Sequence, residues 1–182
     1  MKKASEKIVG VISWIFTVIS ILIMIFTILS STVLNRNDKN LFGYKAFVVM
    51  SDSMSATDFN AGDIVIAKSV DPTTLSAGDI ITFQSENEES YGETVTHKIR
   101  RLTVDAEGNP GFITYGTTTD TDDETVVTYA FVLGKYLFSI PKLGTFFFFL
   151  KTTPGYFICI FVPFMILIVI QAVKSMNLFR KY

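Results

Sequence analysis

Apolar residues are distributed along this chain in two distinct ways. From Ile8 to Leu34, and again from Pro154 to Val173, they run on without one charged residue. Between those stretches they come in short runs broken by Gly, Asp, Asn and Ser. Crossing a bilayer as a helix takes about 20 predominantly apolar residues, so each uncharged stretch predicts a transmembrane helix. The short runs carry no helical period and predict strands at Phe42–Met50, Asp63–Lys68, Asp79–Gln84, Thr94–Val104, Phe112–Tyr115 and Val126–Leu133. The expected architecture is a mainly β domain flanked by two transmembrane α-helices. A cytoplasmic tail and anchor would occupy 1–36, the β domain 37–143, and an interfacial segment, second helix and tail 144–182.

The punctuation between strands is specific. Ala61-Gly62-Asp63-Ile64-Val65 is echoed by Ala77-Gly78-Asp79-Ile80-Ile81, two similar turn-into-strand units. Glycine supplies the positive φ such turns need, and the aspartate can accept from nearby backbone N–H groups. Gln84–Gly92 is polar and acidic and reads as a loop, and Ala106–Gly111 as a turn. On Thr94–Val104 a period of two puts Val95, His97, Ile99 and the aliphatic stem of Arg101 on one side. Thr145–Leu150, with four consecutive phenylalanines, is too short to span. It either lies at the membrane surface and closes the domain, or begins the long helix. Pro154 suits a helix start, and Pro163 predicts a kink.

Charge orients this arrangement. The N-terminal tail carries Lys2, Lys3 and Lys7 against Glu6, and the C-terminal tail Lys174, Arg180 and Lys181 with no acid. Residues 35–151 hold ten basic and sixteen acidic residues, a balance of −6 hidden within a net charge of −1. Basic residues beside membrane helices favour the cytoplasmic side, so both termini are expected there and the β domain in the opposite compartment. No A-x-A-like site follows the first apolar run, which exceeds the roughly 7–15 residues of a signal-peptide core, so it reads as an uncleaved anchor. Nothing in the charge pattern calls for nucleic acid. The single cysteine, Cys159, falls in the second apolar stretch, which precludes an intramolecular disulfide and suits a small apolar filler.

Candidate chemistry sits at the first strand's end. Phe47-Val48-Val49-Met50 runs into Ser51-Asp52-Ser53-Met54, then Phe59-Asn60-Ala61-Gly62-Asp63. The one histidine, His97, lies in the strand-like Thr94-Val95-Thr96-His97-Lys98-Ile99. An exposed serine and a strand-borne base are the minimum for nucleophilic catalysis. Taken alone, the serines are equally ordinary turn residues and a lone histidine is usually structural. Lys98 is a rival base, but adjacent strand residues face opposite ways, and it heads a basic cluster with Arg100 and Arg101 that disfavours burying any member. Imidazole titrates near neutrality and takes a serine proton without heavy desolvation.

These residues resemble the type I signal peptidases, in particular their serine–histidine branch from endoplasmic reticulum, archaea and some Gram-positive bacteria. The family pattern S-x-S-M-x-P appears as Ser51-Asp52-Ser53-Met54-Ser55-Ala56, with the proline replaced by Ala56. That loss loosens the turn by about 1 kcal/mol through unfolded-state entropy. The third block, T-K-G-D-N-N with aspartates downstream, is eroded to Thr114-Tyr115-Gly116-Thr117-Thr118-Thr119-Asp120-Thr121-Asp122-Asp123. The resemblance implies a signal-peptidase-like β fold, Ser53 as nucleophile and His97 as base. It also implies an oxyanion held by the Ser53 N–H and the Ser51 hydroxyl. Counting from Gly116, it implies Asp123 as third member, with Asp122 second and Asp120 last. Implied partners are signal-peptide-bearing preproteins and the lipid bilayer, in proximity to a secretion translocon. The implied location is the cell membrane, multi-pass, with the endoplasmic reticulum as alternative. No cofactor is expected, and the acidic run lacks EF-hand spacing, so no metal is. Two readings compete: a non-proteolytic relative that assembles surface pili or matrix fibres, favoured by the lost proline and eroded block, and a small membrane scaffold.

Overall fold

A computed structural model of the chain describes residues 10–12, 14–23, 25 and 42–179; of residues 156, 160 and 174–179 it describes the backbone alone. The tail charges Lys2, Lys3, Glu6, Lys7, Arg180 and Lys181, and the first apolar run beyond residue 25, lie outside the described residues. The chain divides into two compact units, Val33–Phe146 and a second formed from Met1–Thr32 with Phe147–Tyr182.

The first unit is one antiparallel sheet of seven strands: β1 (Tyr44–Val48), β2 (Ile64–Lys68), β3 (Ile80–Gln84), β4 (Thr94–Val104), β5 (Pro110–Tyr115), β6 (Val127–Thr128) and β7 (Val132–Ile140). Their order is β1-β2-β7-β3-β4-β5-β6, so the last strand threads between β2 and β3. Alternation along β3 sends Ile81 and Phe83 to one face, where they pack with Leu75, Ile99, Phe112 and Val127. Ile80 goes to the other face, to a second cluster with Met54, Phe59 and Val65. The two echoing turns share one hydrogen-bond plan. Asp63 Oδ2 accepts from Asn60 N at 3.0 Å and Asp79 Oδ2 from Ser76 N at 3.1 Å, after Gly62 and Gly78 at φ +86° and +92°.

Two details of the expected strand layout are corrected. Val126–Leu133 is not one strand: a 3-10 turn at Tyr129–Phe131 separates β6 from β7, which then continues through Gly134 to Ile140. Arg101 does not simply continue the His97–Ile99 alternation either. A register shift between Ile99 and Arg101, opposite β5, inserts Arg100 as an extra residue.

The second unit is helical. An apolar helix, α1, spans Gly10–Ile23, shorter than a bilayer crossing needs among the described residues. Leu143–Lys151 forms α2, which begins within the β unit, and ends where the Thr152 side chain accepts from Gly155 N at 3.1 Å and caps α3 (Thr153–Tyr156). The phenylalanine run is therefore a separate helix. A π-helical turn over Phe157–Phe161 then leads into α4 (Val162–Phe179). Pro163 has no N–H to offer the Cys159 carbonyl and its ring would crowd it, so the ladder widens just before the proline. Thr153–Val173 is long and apolar enough to cross a membrane.

Candidate active site

Ser53 sits in the turn that follows β1. Met54 beside it is fully buried with Phe59 and Val65, and Asp52 Oδ1 accepts from Ala61 N at 2.8 Å, so both ends of the turn are tied to β2 and its approach. His97 comes from β4, opposite Ile81 on β3, with Phe83 edge-on to its ring at 6.4 Å between centroids. Lys98 pairs with Ile80 and so projects to the opposite face.

The structure brings Ser53, His97 and Asp123 together. Ser53 Oγ is 3.0 Å from His97 Nε2, and Asp123 Oδ2 is 2.7 Å from Nδ1. A carboxylate only accepts, so in the neutral ring the proton sits on Nδ1 and Nε2 is left to accept from the serine hydroxyl. Ser51 Oγ donates to Ser53 Oγ at 3.2 Å. The Ser53 backbone N–H meets no acceptor among the described residues and so remains available to an incoming oxyanion. His97 is largely covered, its side chain 13% exposed against 27% for Asp123. A cleft of about 340 Å³ opens beside the pair, between Ser85–Ser90 and Thr119–Thr125.

Asp122 and Asp120 are drawn elsewhere. Arg100 Nε and Arg101 Nη1 donate to the two oxygens of Asp122 at 2.8 and 2.7 Å, and Arg100 Nη2 reaches Asp120 Oδ1 at 2.8 Å. Side-chain hydrogen bonds, from Arg101 first and then Arg100, hold the Asp122 carboxyl below the ordinary carboxylate range. Asp120, chiefly, raises the Arg100 guanidinium further, and that guanidinium also lies 3.7 Å over the Tyr115 ring. The bulge in β4 makes this possible, because it lets two consecutive arginines reach one carboxylate.

Three further residues have roles that the sequence did not assign. Thr114, fully buried on β5, donates its hydroxyl to Asp123 Oδ2 at 2.6 Å, on the oxygen that faces His97. Thr118 bonds the Ser53 turn from across the site. Gly116 approaches so closely that a Cβ there would lie 2.8 Å from the Ser53 carbonyl oxygen. Gly116 stood out as the matching residue of the third block, and Thr114 as a polar residue two positions after the core residue Phe112, hence on its inward face. Among the described residues no group of three His, Cys, Asp or Glu side chains is placed to hold a metal. No protein-family model and no curated protein matches the chain.

Proposed function

We propose that this protein is a membrane-bound serine endopeptidase that removes signal peptides from exported preproteins. The observation that carries the reading is the continuous contact from Ser53 Oγ through the His97 ring to Asp123. In this reading Ser53 Oγ attacks the scissile carbonyl while His97 Nε2 takes its proton. The tetrahedral oxyanion is received by the Ser53 N–H and the Ser51 hydroxyl. Collapse expels the new amino terminus, protonated by His97, and leaves an acyl-serine. A water, deprotonated by the same imidazole, then hydrolyses the ester and restores Ser53. Asp123 keeps the ring in its Nδ1–H tautomer and stabilises imidazolium, worth roughly 10⁴-fold in the best-studied serine triad.

The substrate class rests on the family resemblance of the Ser51–Met54 and Thr94–Ile99 segments and on the apolar Thr153–Val173 helix, which suits a site held at a bilayer where signal peptides reside. We infer a cell-membrane location with the β unit outside the cytoplasm. An assembly factor without proteolysis would have no use for a serine hydroxyl on a carboxylate-oriented imidazole. The test is co-expression of a secreted reporter with wild type, Ser53→Ala and His97→Ala. Mature reporter with wild type alone supports the reading, and equal processing in all three rejects it.

A further inference from the structure

Within that reading, we propose that Thr118 is a positioning residue that fixes the Ser53 turn against His97. Its Oγ1 donates to the Asp52 carbonyl at 2.6 Å and its backbone N–H to the Ser53 carbonyl at 2.9 Å. The same hydroxyl oxygen is 3.3 Å from Ser55 Oγ. Three polar groups of one turn, at positions 52, 53 and 55, are thus held by one residue more than 60 positions away. The turn's other polar ties include Ser55 N to the Asp52 carbonyl, Thr57 N and Asp58 N to the Met54 carbonyl, Ala61 N to Asp52 Oδ1, and the Ser51–Ser53 hydroxyl contact, and none of these holds the Ser53 carbonyl. Met54 anchors it from below through apolar packing, which restrains translation but does not aim a hydroxyl.

The loop that carries Thr118 also carries Asp123, pinned to β5 by Asp123 N donating to the Thr114 carbonyl at 2.8 Å. One loop therefore grips both flanks of the imidazole, the nucleophile through Thr118 and the orienting carboxylate through Asp123. The Thr118-to-Asp123 segment sets the distance between them. A second feature makes the idea separable from general packing. The Ala56 N–H bonds no acceptor among the described residues and its φ is not positive, so a proline at 56 can stiffen the same turn without removing a bond.

The experiment compares full-length Thr118→Val, Thr118→Ser and the Thr118→Val/Ala56→Pro pair in native membranes. Amide exchange of the 52–58 segment is followed alongside kcat and KM for reporter processing. Valine keeps the backbone bond and loses the hydroxyl contacts. It should speed exchange across 52–58 and lower kcat, each about tenfold, with KM within about twofold. Serine should behave as wild type, and the added proline should slow exchange and recover most of kcat. Unchanged exchange in Thr118→Val, failure of serine to restore it, or acceleration spreading to the β2 and β3 amides would each overturn the proposal. If exchange follows the expected pattern while no form processes a reporter, the hold on the turn stands and the peptidase reading falls.

Discussion

Replacing Gly116 by alanine would put a Cβ 2.8 Å from the Ser53 carbonyl oxygen, 3.1 Å from Ser53 Cβ and 3.4 Å from His97 Nε2. Something must shift, and the nearest movable group is the nucleophile's own turn. Gly116→Ala should therefore cut processing by about 10²-fold or more, since a misplacement of about 1 Å carries that cost. The fold should survive, because the clash is local. Circular dichroism and reporter processing measured together check this, and normal activity in a folded variant would be the contrary result. Thr114 acts one step further back. Thr114→Val leaves the Asp123 oxygen without its buried donor, which costs about 1 kcal/mol or roughly fivefold in rate, while Thr114→Ser retains the bond. Asp123→Asn should cost far more, on the order of 10²–10⁴-fold, because it favours the wrong imidazole tautomer. Asp122→Asn should fall well short of that, since Asp122 touches the arginines and not the ring. Equal losses for the two asparagine variants would undo that division of labour.

At the scale of elements, the loop from Gly116 to Asp123 depends on a charged clamp, Arg100 and Arg101 on Asp122 and Asp120. The Asp122 carboxyl titrates below its ordinary range because Arg101, then Arg100, bond its charged form. A folded-state value below the unfolded one means the clamp stabilises the folded loop at all pH above the unfolded value of about 4, and is lost as pH falls through the folded one. The difference in loop amide exchange between wild type and Asp122→Asn should thus be constant from about pH 7 to 5 and shrink below about 4. A difference that grows on acidification would show that the arginine pair is not what holds the loop. The strands were more legible in the sequence than this clamp. Five of the strands follow from runs of alternating or continuous apolar residues bounded by Gly and Asp turns, and Thr94–Val104 appears with the same bounds. The sequence pattern did not reveal β7, because Gly134, Lys135 and Ser139 break the apolar run of a strand that is central in the sheet. Nor did it reveal the bulge at Arg100, since an inserted residue is a property of pairing with β5 and leaves no mark on β4 alone. For the same reason Asp120, Asp122 and Asp123 are ranked by spacing but separated only by the fold. The partners that sort them lie on β4 and β5.

At the scale of the whole molecule, the Thr153–Val173 helix exposes Phe157, Ile158, Phe161, Phe164, Val169 and Val173, side chains that gain by leaving water. Lipid is the solvent that such a surface suits, so the chain should stay with the membrane pellet through alkaline carbonate extraction. Lysines at Ile166 and Val169, each costing about 2.5–3.5 kcal/mol near the centre of a span, should release a measurable fraction. The orientation we propose rests on charge rather than apolarity. Six basic residues flank the apolar stretches, against one acid, while residues 35–151 carry a balance of −6. The proposed function therefore predicts that these basic tails stay in the cytoplasm and residues 35–151 lie across the bilayer. Glu88, exposed in the 3-10 turn before β4, serves as a reporter of the β unit. Single cysteines at Glu88 and at Lys2, in a Cys159→Ala background, are then exposed to an impermeant thiol reagent on intact cells. Position 88 should label at once and position 2 only after permeabilisation. The reverse pattern would put the Ser53–His97–Asp123 cluster in the cytoplasm, where no exported preprotein presents its cleavage site, and would remove the proposed function together with the topology.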